Sequence, residues 1–193
     1  MKKSIGPKTV VYPAPVLIVG TYDKIGNPNM MAAAWAGICS SKPPCVGVSL
    51  RKATYTYGNI LDREAFTLGI PDHAKVAEVD YIGMASGRDE DKFAAMGWTP
   101  VRGEMVDAPY AAECSVVLEC ALFKVLELGL HTQFVGEIKD VKADEGVLNE
   151  NGIPDMSKVQ PIVFAPESRA YYSLGRFLGR AFSIGKSFRQ KKT

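Results

Sequence analysis

Residues 34–60 read A-W-A-G-I-C-S-S-K-P-P-C-V-G-V-S-L-R-K-A-T-Y-T-Y-G-N-I: a loop, a strand and the start of a helix in succession. The loop, Ala36–Pro44, holds Gly37, Ile38, Cys39, Ser40, Ser41 and Lys42, and two prolines close it and limit its conformations. Cys45–Leu50 is apolar or small apart from Ser49, as a buried strand requires. Arg51, Lys52, Thr54 and Thr56 then bring two cations and two hydroxyls to the start of a short helix expected over Tyr55–Asp62. Backbone amides at a helix start, beside such side chains, suit a phosphate. The same residues also make a solvated basic turn with a threonine cap, and by themselves they do not separate the two readings.

Outward from that stretch the chain alternates β-rich runs with turns. Pro13–Tyr22 is rich in β-formers and ends at D-K-I-G-N-P-N, so Met30–Trp35 is expected to return as the second strand of an antiparallel hairpin. Ala65–Ile70 reads as a strand stopped by Pro71, and His73–Tyr81 as a second short helix. In S-G-R-D-E-D-K-F, Gly87 permits a turn, Arg88–Asp91 opens a helix with acids in its first turn, and Gly97 closes it. The strongest β signal is Glu113–Leu128. Cys114, Val116, Leu118, Cys120 and Leu122 share one face, while Glu113, Ser115 and Glu119 share the other. Thr132–Val141 alternates again, Asp144–Lys158 reads as a long polar loop, and P-I-V-F after Pro161 reads as a short strand. Many short strands, hairpin-like links and few helices give a mainly β, antiparallel, closed or nearly closed barrel.

The whole chain, 1–193, fits one domain with a basic, aromatic tail from about residue 176. Arg169–Thr193 holds seven Lys or Arg and no acid. Phe177, Leu178, Phe182, Ile184 and Phe188 intersperse them, so the tail is expected to pack on the body or on a partner subunit. With 47% apolar and 23% charged residues the composition is globular, and a net charge of +2 gives no general case for nucleic acid or membrane. The longest apolar run, Met30–Cys39, is about half of the ~20 residues a spanning helix needs. The lysine-bearing start lacks an apolar core and the four cysteines form no disulfide framework, so the cytoplasm is the expected compartment. G-R-A-F-S-I-G-K-S has five residues between Gly179 and Gly185 where a phosphate-binding P-loop needs four. No G-x-G-x-x-G is present, and His73 and His131 stand alone, which leaves a Rossmann site and a zinc site without support. A Cys39–His131 nucleophile pair rests on two residues far apart in sequence.

Four pieces in order carry a resemblance: the W-A-G-I-C-S loop, the Pro-Pro pair, S-L-R-K-x-T-Y-T, and S-G-x-x-x-D-K-F. From about Pro13 to Gly185 the chain resembles the flavoredoxin branch of the flavin reductase-like proteins, FMN-binding split β-barrels that are usually homodimers. The resemblance implies an FMN site. Arg51, Lys52, Thr54, Tyr55, Thr56, Ser86 and Lys92 would serve its phosphate end, and Trp35, Ala36, Gly37, Ile38, Cys39, Ser40 and Ser41 would serve its ring. A histidine opening the strand H-T-Q-F-V-G-E-I, here His131, lies beside the flavin in resembling proteins and is the candidate catalytic residue. Tyr171 and Tyr172 match a late Tyr-Tyr-x-x-Gly pattern but read first as core. Reductases that use diffusible flavin carry a Ser/Thr-rich loop with a phenylalanine where this chain has Trp-Ala-Gly-Ile-Cys, which favours a tightly held FMN. The cofactor does the chemistry, so no acid, base or nucleophile is strictly required. The implied activity moves electrons from NAD(P)H or a reduced redox protein to a flavin, metal or protein acceptor. The alternatives are an FMN electron carrier without turnover and a split-barrel binding module.

Overall fold

The computed structural model describes residues 1–191. In chain order the strands are β1 (Ala14–Pro15), β2 (Leu17–Tyr22), β3 (Pro28–Ala33), β4 (Ala36–Ser41), β5 (Pro44–Arg51), β6 (Ala65–Ile70), β7 (Pro100–Arg102), β8 (Pro109–Ala111), β9 (Val116–Leu128), β10 (His131–Ala143), β11 (Val163–Ala165) and β12 (Ala170–Tyr172). The α-helices are α1 (Tyr55–Arg63), α2 (Val76–Met84), α3 (Lys92–Met96) and α4 (Met156–Val159). Seven strands form one sheet in the order β3-β2-β6-β9-β10-β5-β4, and every neighbouring pair is antiparallel.

The sheet is curled. Val19 of β2, Ala33 of β3, Val48 and Leu50 of β5, Phe66 and Leu68 of β6, Cys120 of β9 and Phe134 of β10 belong to one buried cluster with Ile60 of α1. Strands so far apart in the order share a core only if the sheet rolls round on itself. It does not close by a strand ladder, because β3 and β4 are its two ends. The β4–β5 ladder runs one residue further, with the Ser49 N–H donating to the Trp35 carbonyl at 2.8 Å, and so holds the link between β3 and β4 against β5. The result is a split antiparallel barrel with few helices, as the family resemblance implied, where the strand pattern alone gave a closed or nearly closed barrel. A second core, with Ile18, Met30, Val79, Ile82, Phe93 and Trp98, holds α2 and α3 against the outer side of the sheet.

Local chemistry explains the elements. The β2–β3 turn is set by the Asp23 carboxylate, which accepts from the amides of Ile25 (2.9 Å) and Asn27 (2.8 Å). The buried polar face of α1 is satisfied rather than wasted: Asn29 donates to the Thr56 hydroxyl at 3.0 Å, and Asn59 to the Thr21 hydroxyl at 3.1 Å.

Several boundaries differ from expectation. Ala36–Ser41, expected as part of a loop, is strand β4. As a sheet edge it needs one ladder and little burial, so its polar, small composition suffices. The second helix begins with a 3-10 turn at His73–Lys75 and runs on to Met84. The third helix starts at Lys92, after Asp91 caps it by accepting from the Ala94 amide at 3.1 Å; Arg88–Asp91 precede it. Glu119, expected on the outer face of its strand, is fully buried. Residues 103–107 cover it, the Met105 amide donates to it at 2.6 Å, and the Lys142 ammonium lies 3.4 Å away. The polar stretch after β10 contains a 3-10 turn, Glu145–Val147, and α4. In the basic, aromatic tail Phe177, Leu178 and Phe182 are exposed, while Arg176, Phe177 and Arg180 border a groove with His73, Asp155 and Met156 of the body; its last two residues, 192 and 193, lie outside the described residues.

Gly20 in β2 tests the tightness of this packing. A Cβ there would overlap the Pro109 carbonyl oxygen and the Thr67 hydroxyl, which are already hydrogen-bonded to each other at 2.6 Å. Gly20→Ala is expected to destabilise the chain by about 1–3 kcal/mol in urea denaturation. Gly37→Ala on β4, with no atom within 4 Å of its Cβ, is expected to stay within about 0.5 kcal/mol of the parent.

Candidate functional site

A cleft of about 320 Å³ opens at the split in the barrel. One wall is Met31–Trp35, where the chain leaves β3, and Ser49–Arg51 at the end of β5. Thr54 and His131 join them, while Asp80, Gly83 and Met84 of α2 with Phe164 and Tyr171 form the far side. The volume falls in the lower range of small-molecule sites.

The sheet register gathers the near wall. His131 opens β10 directly opposite Arg51 of β5, and Trp35 is tied to Ser49 two residues earlier on that strand. The Trp35 and His131 rings lie nearly parallel, at 10° with centroids 6.3 Å apart, which gives the cleft a flat aromatic flank. Arg51 contributes a cation at the rim.

At the neighbouring start of α1 the backbone is prepared for an anion. Thr54 occupies the cap position, but its hydroxyl donates to the Arg51 carbonyl at 2.9 Å instead of accepting from a helix amide. The first turn carries no acidic residue, so nothing from this helix neutralises the positive end of its dipole. The Ser86–Asp91 loop leans on that end. Arg88 donates to the Ala53 carbonyl at 2.8 Å, and its guanidinium lies 5.5 Å from the Tyr55 ring centroid. Any side chain at Gly87 would strike Asn29 and Tyr55.

The remaining candidates are placed elsewhere. Ala36–Ser41 run out along β4, with Ile38 and Cys39 exposed, and do not line the cleft. Lys52 pairs with Glu127 at 2.8 Å. The Tyr55 hydroxyl donates to Asp23 at 3.0 Å and the Thr56 hydroxyl is buried against Asn29. Ser86 is half-buried in the loop beside α1 and accepts from the Arg88 amide at 3.2 Å. Lys92 is buried, and its ammonium donates to the carbonyls of Ile82 (3.1 Å) and Ala85 (3.2 Å) at the end of α2. Among the described residues no carboxylate forms a salt bridge with it, and burial lowers its pKa to about 8 against a small opposing pull from Glu90. Cys114 and Cys120 are core thiols that burial pushes up to about 12, consistent with strand residues rather than ligands.

The Asp80–Tyr171 pair on the far wall was not among the sequence candidates. The Tyr171 hydroxyl donates to Asp80 at 2.9 Å, and burial together with that acid raises the phenol to about 12. The residues are ninety-one positions apart. The late Tyr-Tyr pattern was the one sequence signal that pointed to either of them.

The seven-stranded antiparallel sheet, curled and open at one seam, defines the class of split β-barrels. The chain belongs to the flavin reductase-like domain family, which matches it over residues 9–173. It is 57% identical to the flavoredoxin of Desulfovibrio vulgaris (Miyazaki F), with a TM-score of 0.92 over 96% of this chain and 100% of that one. The flavoredoxin from Methanosarcina acetivorans is 32% identical, with a TM-score of 0.91 over 97% of this chain and 99% of that one. A high molecular weight rubredoxin of Moorella thermoacetica is 28% identical over 52% of this chain and 44% of its own length. Among the described residues no helix is long and apolar enough to cross a membrane, and no cluster of His, Cys, Asp and Glu would hold a metal ion.

Lys92 links the site to pH. The unfolded chain keeps the lysine proton up to its ordinary value of 10.5, whereas the ligand-free fold releases it near 8. Between those values the unfolded state binds more protons, so this group's contribution to stability is least below pH 8 and rises towards pH 10.5. In urea melts the ligand-free protein is expected to gain stability relative to Lys92→Met between pH 7.5 and 9.5. Parallel profiles would show that the buried lysine is not strained.

Proposed function

We propose that the cleft binds FMN and that the protein is an FMN oxidoreductase passing electrons from NAD(P)H or a reduced redox protein to a flavin, metal or protein acceptor. The observation that carries this reading is the convergence at one seam of Arg51, the acid-free start of α1 and the Trp35–His131 flank. Each part fits a part of the cofactor. Arg51 and the α1 amides supply charge-assisted donors for the phosphate, with Thr54 and Ser86 beside them. An ammonium has three donors and Lys92 uses two on carbonyls, so it holds charge in reserve behind the Ser86 loop. An incompletely neutralised buried cation is costly, and an arriving phosphate relieves that cost.

Bound FMN supplies the hydride and electron chemistry. The chain's own residues bind and orient. Trp35 offers a flat wall, the apolar side chains of Met31, Met84 and Phe164 exclude water, and His131 stands at the rim to bond the ring edge or an incoming nicotinamide. The name of the Moorella relative supports a protein electron carrier as one partner. On this reading Lys52, Tyr55 and Thr56 hold the frame of the phosphate end through their own bonds rather than touching the ligand. The edge strand Ala36–Ser41 runs away from the cleft and would present its polar groups to a neighbouring subunit, in keeping with the expected homodimer.

Arg51→Ala is expected to weaken FMN binding by about 1.5–3 kcal/mol, roughly ten- to a hundredfold in Kd, measured by the change in the flavin visible spectrum on titration. Flavin bands that NADH or NADPH then bleaches under anaerobic conditions would support the reductase. Bands that persist until a reduced protein carrier is added would select the carrier without nicotinamide turnover. A chain that takes up no FMN would overturn the reading.

A further inference from the structure

One charged residue of the cleft plays no part in receiving a phosphate. Asp80, Gly83 and Met84 stand at i, i+3 and i+4 on α2, so they share the face of that helix that lines the cleft. Among the described residues Asp80 is the one acid in the lining, set in a wall with Gly83, Met84, Phe164 and Tyr171. An aspartate in mid-helix gains nothing for the helix, since its short side chain favours caps and turns. A carboxylate on a largely apolar wall also gives up hydration. Binding sites are apolar surfaces with a few placed polar groups, and Asp80 is placed as one of them.

Little near Asp80 offsets its charge. Lys75, just before α2, is paired with Glu78 at 3.6 Å, and α2 itself contains no cation. Among the described residues Asp80 forms no salt bridge. The other charged or titratable side chains facing the cleft, Arg51 and His131, belong to the opposite wall. The carboxylate is held by the Tyr171 hydroxyl, which donates to it at 2.9 Å. Burial first, and Asp80 after it, raise that phenol to about 12, so near neutral pH it keeps its proton and remains a donor.

We propose that the Asp80–Tyr171 pair sets the reduction potential of the flavin in this cleft, resting on the FMN reading above, with Asp80 lowering it and Tyr171 moderating that effect. The oxidised ring is neutral, and taking up two electrons and one proton leaves it singly negative. In a cleft of about 320 Å³, a ring seated on the Trp35 flank is close to the α2 wall as well. Water screens a charge poorly in such a space, so the carboxylate disfavours the reduced ring more than the oxidised one. The bound flavin is thereby made a stronger electron donor. The phenol draws off part of the carboxylate's charge through its hydrogen bond. The two residues pull the potential in opposite directions, which a simple brace between α2 and β12 would not do.

Dithionite titration of the FMN-loaded protein against a reference dye, at fixed pH and without nicotinamide, reads this potential independently of any physiological donor. Asp80→Asn, similar in shape but neutral, is expected to raise the ratio of reduced to oxidised flavin at a given potential about tenfold, or about 30 mV for a two-electron couple. By linkage it should tighten reduced FMN about tenfold relative to oxidised FMN. Asp80→Glu keeps the charge and should keep the low potential. Tyr171→Phe keeps the ring against Phe164 and is expected to lower the ratio, about threefold. A potential unmoved by Asp80→Asn overturns the proposal and leaves the FMN site standing. Shifts of the same sign in Asp80→Asn and Tyr171→Phe make the pair a brace and overturn it likewise. Tyr171→Phe decides even where Asp80→Asn does not fold, because an upward shift or none there overturns the proposal. A chain that takes up no FMN overturns the site and the proposal together.

Discussion

The structure depends on the curl of one sheet, and the curl depends on Gly136. A Cβ at that position would stand 2.5 Å from the Phe66 ring and 2.9 Å from the Cys120 Cβ, so the Phe66 ring occupies the space that a side chain on β10 would take. The β9–β10 register slips beside it, between Val135 and Gly136, and again between Ile138 and Asp140. Bulges of this kind bend a strand and increase its twist. Two of them in the longest hairpin bring β2 and β5 into one core and leave β3 and β4 unjoined. The seam is therefore a consequence of how the core is filled, and the cleft lies in the seam.

The second slip also places a charge. It leaves Asp140 and Lys142 where the ammonium reaches Asp140 at 3.0 Å, Glu104 at 3.2 Å and the buried Glu119 at 3.4 Å. Those carboxylates push the Lys142 pKa upward, Asp140 first among them. Lys92 is the contrasting case: buried, without a carboxylate salt bridge, and displaced downward. A structural lysine is neutralised where it sits. Lys92 is instead met by the carbonyls of Ile82 and Ala85, the negative end of α2, which hold its ammonium without a counter-ion.

Much of this was legible in the sequence, for identifiable reasons. Period-two alternation exposed β9 and β10 because one face is core, and D-K-I-G-N-P-N exposed the first hairpin because Asp23, Gly26 and Asn27 each have a turn-specific job. Arg51, Thr54, Trp35 and His131 came to one cleft because they lie on neighbouring strands and the link between them. The edge strand β4 was hidden because a single ladder imposes no apolar pattern. Glu119 was misread as outward because alternation reports the two faces of a strand but not whether a loop covers the second. The pairing of Asp80 with Tyr171 was beyond reach, although the Tyr-Tyr pattern marked the tyrosine, because no local spacing connects a helix of the second core with a strand ninety-one residues later.

The pairing of Asp80 and Tyr171 gives the cleft a polarity. Its acid lies on the α2 wall, while the cation Arg51 and the α1 amides lie on the β5 side. A carboxylate without a salt bridge among the described residues repels phosphate, and an arginine attracts it. On the proposed reading, an elongated anionic ligand entering this seam would be oriented with its charged end towards α1. The direction is set by two elements from different cores, α2 from the outer one and β5 from the inner, and only the split in the barrel lets both face the same ligand.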